Sequence, residues 1–285
     1  MLNLVHTKTF LTVLDERGFR AAARRLSVSP STVVEHIQNL ETELAAPLVV
    51  RQRGHVEPTP QGAEFEPLAR ALVSTADRAV GLFSEARLRV AASSNTGIYL
   101  LQPALSALTA AHDITVEQWI GSNHEVANRL GLGLADAGVM EWWDDRPGFF
   151  AMEWRREPLV VIVPPDHALA SKKAVKSTDI IGHRILGGEP GTGTGTALRN
   201  ALGRTASRLT TIGGLGSTEA VKRAVQAGVG ISIVMACAVT DEVASGRLAA
   251  LPFEDVMVEK VIHLIVPTAL PKTAVGSLFL QHLTG

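Results

Sequence analysis

"FRAAARRLSVSPSTVVEHIQNLETELAAPL", residues 19–48, divides into two helices and a tight turn. The first helix is short and Ala-rich, over about residues 20–26. Ser27, Val28 and Ser29 make the turn. The Ser29 hydroxyl can accept from a free helical N–H, and Pro30 suits the first helical position because it has no N–H to lose. Beyond Pro30, the residues Val33, Ile37, Leu40 and Leu44 step by four, three and four and form one apolar stripe. Ser31, Glu35 and Gln38 lie roughly opposite, flanked by Thr32 and Val34. The small Ala22 and Ala23 let the two helices approach closely. Upstream, residues 4–14 put Leu4, Phe10, Val13 and Leu14 on one face of a further helix, which Gly18 interrupts. Downstream, "LVVRQRGHVEPTP" (48–60) reads as a hairpin with Gly54 at its turn, from which Arg51, Arg53 and His55 project.

This is a helix-turn-helix followed by a wing. Such a unit offers the start of its second helix to the major groove and its wing to phosphates or the minor groove. The residues expected to contact DNA are Ser31, Thr32, Val34, Glu35, Gln38, Arg51 and Arg53. The plainer reading is a helical subdomain with a surface hairpin.

Several residues at matching spacing carry a resemblance: Phe10, Gly18, Phe19, Ala21, Ala22, Arg25, Leu26, Val28, Ser29, Ile37, Leu40, Glu41, Leu44, Pro47, Leu48, Arg51, Thr59, Pro60 and Gly62. The segment resembles the winged helix-turn-helix of LysR-type transcriptional regulators. That family commonly has Gln-Pro-Ala-Leu-Ser and then a basic or polar residue where this chain has Pro30, Ser31, Thr32, Val33, Val34 and Glu35. Glu35 repels phosphate but can accept from a cytosine amino group, and Val34 can touch a thymine methyl. An unusual operator is therefore expected. Residues 1–58 hold seven Lys/Arg against six Asp/Glu, so one head has little electrostatic pull and a dimer would need both half-sites.

From Gly62 to about Arg87 the apolar positions Phe65, Leu68, Leu72, Ala76, Ala79 and Phe83 follow a helical period. Such a helix either packs on its own domain or pairs with its copy. The resemblance implies the second, with a twofold axis presenting two reading helices to a pseudo-palindromic site.

The remainder alternates apolar strands and helices, which argues for α/β layers with a mostly parallel sheet. Two such sets suggest two lobes, with crossings expected at Val163–Pro164 and Val266–Pro267. The expected organisation is a DNA-binding domain at 1–58, a linker or dimerisation helix at 59–87, and an effector domain at 88–285. Its lobe I would hold about 88–163 and 267–285, and its lobe II about 164–266. The motifs "LRVAASSNTGIYLLQPAL", "ADAGV", "LVVIVPPDHALA", "EPGTGT" and "GSTEAVKRAVQAGVGISIV" resemble the periplasmic-binding-protein-like effector domain of the same family.

In open α/β sheets ligands bind beyond the carboxyl ends of strands. Three such ends carry small polar residues before a helix: Ser93-Ser94-Asn95-Thr96, Gly191-Thr192-Gly193-Thr194, and Ser217. Helix N-termini favour an anion. An anionic small effector is expected, held by Ser93, Ser94, Thr96, Gly191, Thr192 and Thr194, with the glycine loop facing Ser93–Thr96. For each hydroxyl the competing reading is N-capping, and for each glycine it is a turn. Glu141 would meet a cationic part of a ligand or be solvated, and Trp142 and Trp143 would line the cleft rim or pack.

The glycine loop lacks the lysine of a phosphate-binding P-loop and the spacing of a dinucleotide fingerprint. The chain has nine histidines but no His-x-x-x-His pair, no G-x-S-x-G elbow, and one cysteine, Cys237. No catalytic set, metal site or cofactor is expected. Net charge is −1, and no apolar run is long enough to span a bilayer. With no signal-like segment at the start, a cytoplasmic protein with no membrane contact is expected. The leading reading is a ligand-responsive DNA-binding regulator, not an enzyme, acting as a homodimer or homotetramer. The alternatives are a two-lobed solute-binding protein or enzyme with a helical extension, and a DNA-binding protein whose cleft has lost its ligand.

Overall fold

The helix-turn-helix forms where the local signals place it. In the computed structural model, which describes residues 2–52, 55–81, 86–190, 192–268 and 274–284, α1 spans Leu4–Asp15, α2 Phe19–Leu26 and α3 Pro30–Leu44. The Ser29 hydroxyl accepts from the Thr32 amide at 3.1 Å and starts α3. Ser27 ends α2 in the left-handed region, with φ 56°, and turns the chain toward α3. Phe10, Val13, Ala22, Ala23, Val33, Ile37 and Leu40 are buried together. Leu14 and Leu44 pack at the edge of this core, whereas Leu4, in the first turn of α1, is exposed.

One carboxylate turns the chain from α3 into the wing. Glu41 Oε1 accepts from the Leu48 amide at 2.6 Å and the Val49 amide at 3.3 Å. The wing pairs β1 (Val49–Gln52) antiparallel to β2 (His55–Pro58). Arg53 and Gly54, expected at its tip, lie outside the described residues.

The next helix, α4 (Pro60–Gly81), starts under backbone contact. The Thr59 hydroxyl accepts from the Gly62 amide and donates to the Pro47 carbonyl, at 2.9 and 2.6 Å. A Cβ on Gly62 would stand 1.9 Å from the Leu48 carbonyl oxygen, so only glycine fits. Phe65 packs on Phe10, with ring centroids 5.6 Å apart, and Arg70 pairs with Asp15 at 2.7 Å. Farther along the helix, Leu68 and Leu72 are 56% and 42% exposed. The expected extension to Arg87 is corrected at its end, because Arg87 opens strand β3. Phe83 lies outside the described residues.

Among the described residues, the rest of the chain is built on a nine-stranded sheet. Its strands are β3 (Arg87–Ser93), β4 (Thr115–Gly121), β5 (Ala137–Met140), β6 (Phe149–Val163), β7 (Arg184–Leu186), β8 (Thr210–Ile212), β9 (Ile231–Met235), β10 (Ala249–Leu251) and β11 (Glu259–Pro267). They run in the order β4-β3-β5-β11-β6-β9-β7-β8, with β10 also against β6. The pairs β3/β4, β3/β5, β7/β8 and β7/β9 are parallel, so their connections are crossovers, which helices supply. The helices are α5 (Leu101–Ala111), α6 (Asn123–Gly131), α7 (Gly193–Leu202), α8 (Thr218–Gln226), α9 (Thr240–Ala244) and α10 (Val275–Thr284). A five-residue π-turn, Thr96–Leu100, leads into α5.

The lobe boundaries differ from expectation. Residues 149–158 of β6 pair with β11, but Leu159–Ile162 pair with β9, and Val161–Val163 with β10. The chain thus enters lobe II in mid-strand, near residue 158, rather than at Val163–Pro164. It returns at the start of β11, near residue 259, rather than at Val266–Pro267, since β11 pairs with β5 and β6 of lobe I. The prolines end strands. A continuous extended backbone passes between lobes without a turn, the crossing falling at Pro158, where the charged residues 155–157 give way to the apolar residues 159–163. A bulge at Trp154, where the register shifts between Ile262 and His263, bends β6 just before it.

Gly62→Ala is expected to destabilise the helical domain by at least about 2 kcal/mol, because the added methyl meets a backbone carbonyl that cannot rotate away. Urea denaturation followed by far-ultraviolet circular dichroism measures this as an earlier loss of helix.

Candidate nucleic-acid interface and effector cleft

The start of α3 is a cluster of hydroxyls. Ser29 Oγ lies 2.7 Å from Ser31 Oγ and 2.8 Å from Thr32 Oγ1. Ser31, Glu35 and Gln38 are exposed, while Thr32 and Val34 are half-buried on the flank. The Arg51 guanidinium sits 4.9 Å from the centre of the Phe19 ring, which steadies the base of the wing against α2. His36 turns inward instead. Its Nδ1 is 2.9 Å from Thr9 Oγ1 and its ring is 4.7 Å from that of His6. Burial, and then the neighbouring His6, hold its pKa below the ordinary value.

The three strand ends meet different partners. Ser93 and Thr96 are buried, and Ser93 Oγ donates to Thr96 Oγ1 at 2.8 Å. Ser94 Oγ donates to the Gly121 carbonyl at 3.1 Å. Asn95 reaches across to lobe II, where its Oδ1 accepts from Thr218 Oγ1 at 2.7 Å. Tyr99 does the same, donating to Glu219 Oε1 at 2.8 Å, and burial and then Glu219 push its pKa well up. Ser217 caps α8 by accepting from the Ala220 amide. The Ser93–Thr96 segment therefore faces the start of α8, not the glycine loop.

The glycine loop faces an ion pair. Thr192 caps α7, accepting from the Gly195 amide at 3.0 Å and donating to the Glu189 carbonyl at 2.8 Å. Its hydroxyl proton is thus used within the loop, which corrects its expected role as a free donor. Gly195 has a backbone role too, since a Cβ there would stand 2.2 Å from the Glu189 carbonyl oxygen. Gly193 is different: its Cβ would stand 3.1 Å from Glu141 Oε2 and 3.6 Å from Lys260 Nζ. Thr194 is half-buried in the first turn of α7, and Gly191 lies outside the described residues. Glu141 and Lys260 are paired at 3.2 Å, with side chains only 7% and 4% exposed. Glu141 is therefore not solvated. Lys260 escaped the sequence reading, although a lysine heading the apolar strand "VIHLIVP" was its signal. Trp142 and Trp143 are half-buried and pack on His124 and Phe149, with ring centroids 5.2 and 5.6 Å apart.

Two cavities lie within lobe II. One of about 470 Å³ sits behind α7, between Leu198, Arg199 and Leu209, and one of about 520 Å³ lies beside His167, His183 and Arg184. Cys237 is half-buried, and burial together with the nearby Glu157 pushes its thiol up to about 12. Among the described residues no His/Cys/Asp/Glu group of three or more is arranged to hold a metal, and no helix is long and apolar enough to cross a membrane.

Known proteins match both halves. Residues 4–63 match the model of the bacterial regulatory helix-turn-helix protein, lysR family, and residues 84–285 match the LysR substrate binding domain. A putative HTH-type transcriptional regulator, PtxE of Stutzerimonas stutzeri, is 42% identical over 196 residues, which are 68% of this chain and all of that protein. The HTH-type transcriptional regulator CysL of Bacillus subtilis is 28% identical, over 80% of this chain and 78% of its own. The fold is that of CbnR, solved in complex with its target DNA: TM-score 0.77, 22% identity, 99% of this chain and 98% of that one. The protein is thus a DNA-binding regulator with an appended ligand-binding domain, and it belongs to the LysR family of transcriptional regulators. Its relatives and structural neighbours are regulators of transcription, not enzymes.

Lys260→Met strands the Glu141 carboxylate in a buried site and is expected to destabilise the effector domain by about 3–5 kcal/mol. Adding Glu141→Gln should restore most of the loss. Chemical denaturation of the two variants measures the difference.

Proposed function

We propose that two copies of the chain join through the exposed apolar face of α4 and present two α3 helices to a pseudo-palindromic operator. Leu68 and Leu72 support this reading, since they form an uncovered strip on a helix that leaves the DNA-binding head. The assembly is a homodimer or a tetramer built from it, and it works in the cytoplasm. Ser31, Thr32, Val34, Glu35 and Gln38 read bases, and Arg51 and Arg53 hold phosphate.

A small anionic effector binds between the lobes. The observation that carries this reading is the meeting of the α7 and α8 N-termini with lobe I, at Glu141–Lys260 and at Asn95. The effector shifts the protein between lobe arrangements by binding one more tightly than the other. Ser93, Thr96 and Thr194 lie beside this boundary. Thr194→Val should weaken such an effector, and unchanged affinity would make the residue structural only.

A gel shift against the protein's own upstream DNA at several salt concentrations tests DNA recognition. Specific binding should survive moderate salt, and Arg51→Ala should lower the salt slope by about one per subunit. Failure to enrich any site from random DNA would overturn the reading. A specific complex that no small molecule alters would instead mark a regulator whose cleft has lost its ligand.

A further inference from the structure

We infer that the cleft is built for a small acid carrying a hydrogen-bond donor beside its carboxylate, a hydroxy acid or an amino acid, with Glu141 receiving the donor and Lys260 the carboxylate. This rests on the proposed reading that a small molecule with an anionic group binds between the lobes, and it adds what that group is and what stands beside it.

The observation behind it is an acceptor left over. Glu141 Oε2 is held by Lys260 at 3.2 Å, but Glu141 Oε1 is buried with no hydrogen-bond partner. A buried carboxylate oxygen without a donor is costly, on the order of 1–3 kcal/mol or more. The nearby Glu157, opposite Lys260 across the β6–β11 ladder, differs: Arg155 and the Cys237 thiol lie against it.

The position fits a ligand. Glu141 directly follows β5, at the carboxyl end of a strand in the parallel part of the sheet, where α/β folds bind small molecules. Facing it from lobe II is the first turn of α7, and Gly193 puts no side chain between them. The Gly195 and Thr196 amides of that turn are already bonded to Thr192, which sets the loop's shape in advance. Lys260 has three N–H donors on its ammonium, and Glu141 takes one of them.

Charge then selects the ligand. Glu141 and Lys260 cancel, leaving the fractional positive end of α7. A molecule of net charge zero or −1 matches this site. A simple oxyanion such as sulfate would satisfy Lys260 but would face Glu141 with no donor to offer. A carboxylate with an adjacent hydroxyl or ammonium satisfies both.

The test is calorimetric titration of the full-length protein with matched acids: propionate, lactate and alanine; succinate, malate and aspartate; inorganic phosphate and sulfate. In at least one set the donor-bearing member should bind at least about tenfold more tightly than the unsubstituted acid, the scale of one buried charge-assisted hydrogen bond. Glu141→Met should reduce that ratio to within about twofold. Should Glu141→Met not fold, Glu141→Gln keeps the shape, weakens the acceptor, and should lower the same ratio. Equal affinity within every set, tighter binding of phosphate or sulfate, a ratio that survives both substitutions, or no binding by any of these acids would each overturn the inference. Operator binding is followed in parallel. A donor-free acid that alters it overturns this inference alone, whereas operator binding that no metabolite fraction alters counts against the parent reading.

Discussion

The two lobes depend on one antiparallel ladder. β6 and β11 run side by side from Glu259–Pro158 to Pro267–Phe149, and β6 then continues into the second lobe to pair with β9. Backbone hydrogen bonds of this kind form one continuous ladder and act together rather than singly. The lobes are therefore held at a fixed root, while side chains meet across their far edges. Asn95–Thr218 and Tyr99–Glu219 are such side-chain meetings, and each can open at the modest net cost of a hydrogen bond. Glu141 and Lys260 lie between these regimes. Both are buried, and both belong to lobe I, yet they touch the first glycine of a lobe II helix.

The DNA-binding head was legible because its signals are local. A serine cap, a proline at the first helical position and an apolar stripe all act within a few residues, and α3 begins where they say. The hidden part of that head is contact between segments. Gly62 reads as a residue inside a helical pattern, and its need for glycine appears only when the Leu48 carbonyl comes to rest against it. Leu4 matches the periodicity yet is exposed, because periodicity assigns a face without saying how far the core extends along it.

The effector domain was legible as alternating strands and helices, but not in its division. Prolines after apolar strands suggested the crossings, whereas the backbone crosses inside β6 at Pro158, a proline that no turn accompanies. The glycine loop shows the same limit. Its glycines share one spacing and serve different ends, Gly195 admitting a carbonyl and Gly193 an ion pair. Neither partner is close in sequence to Gly193, so residue spacing could not have found the pair.

α4 is fastened from two sides at its middle. Midway along it Arg70 grips Asp15 of the DNA-binding head at 2.7 Å, and one turn later the Ser74 hydroxyl receives the Arg89 guanidinium of the first effector strand at 2.6 Å. Arg89 also pairs with Asp136, just ahead of β5, at the opposite end of that strand from Glu141. The DNA-binding head and lobe I are thus tied to the same short stretch of helix. Because a continuous hydrogen-bonded helix has little slack, that one turn fixes the spacing between the two attachments.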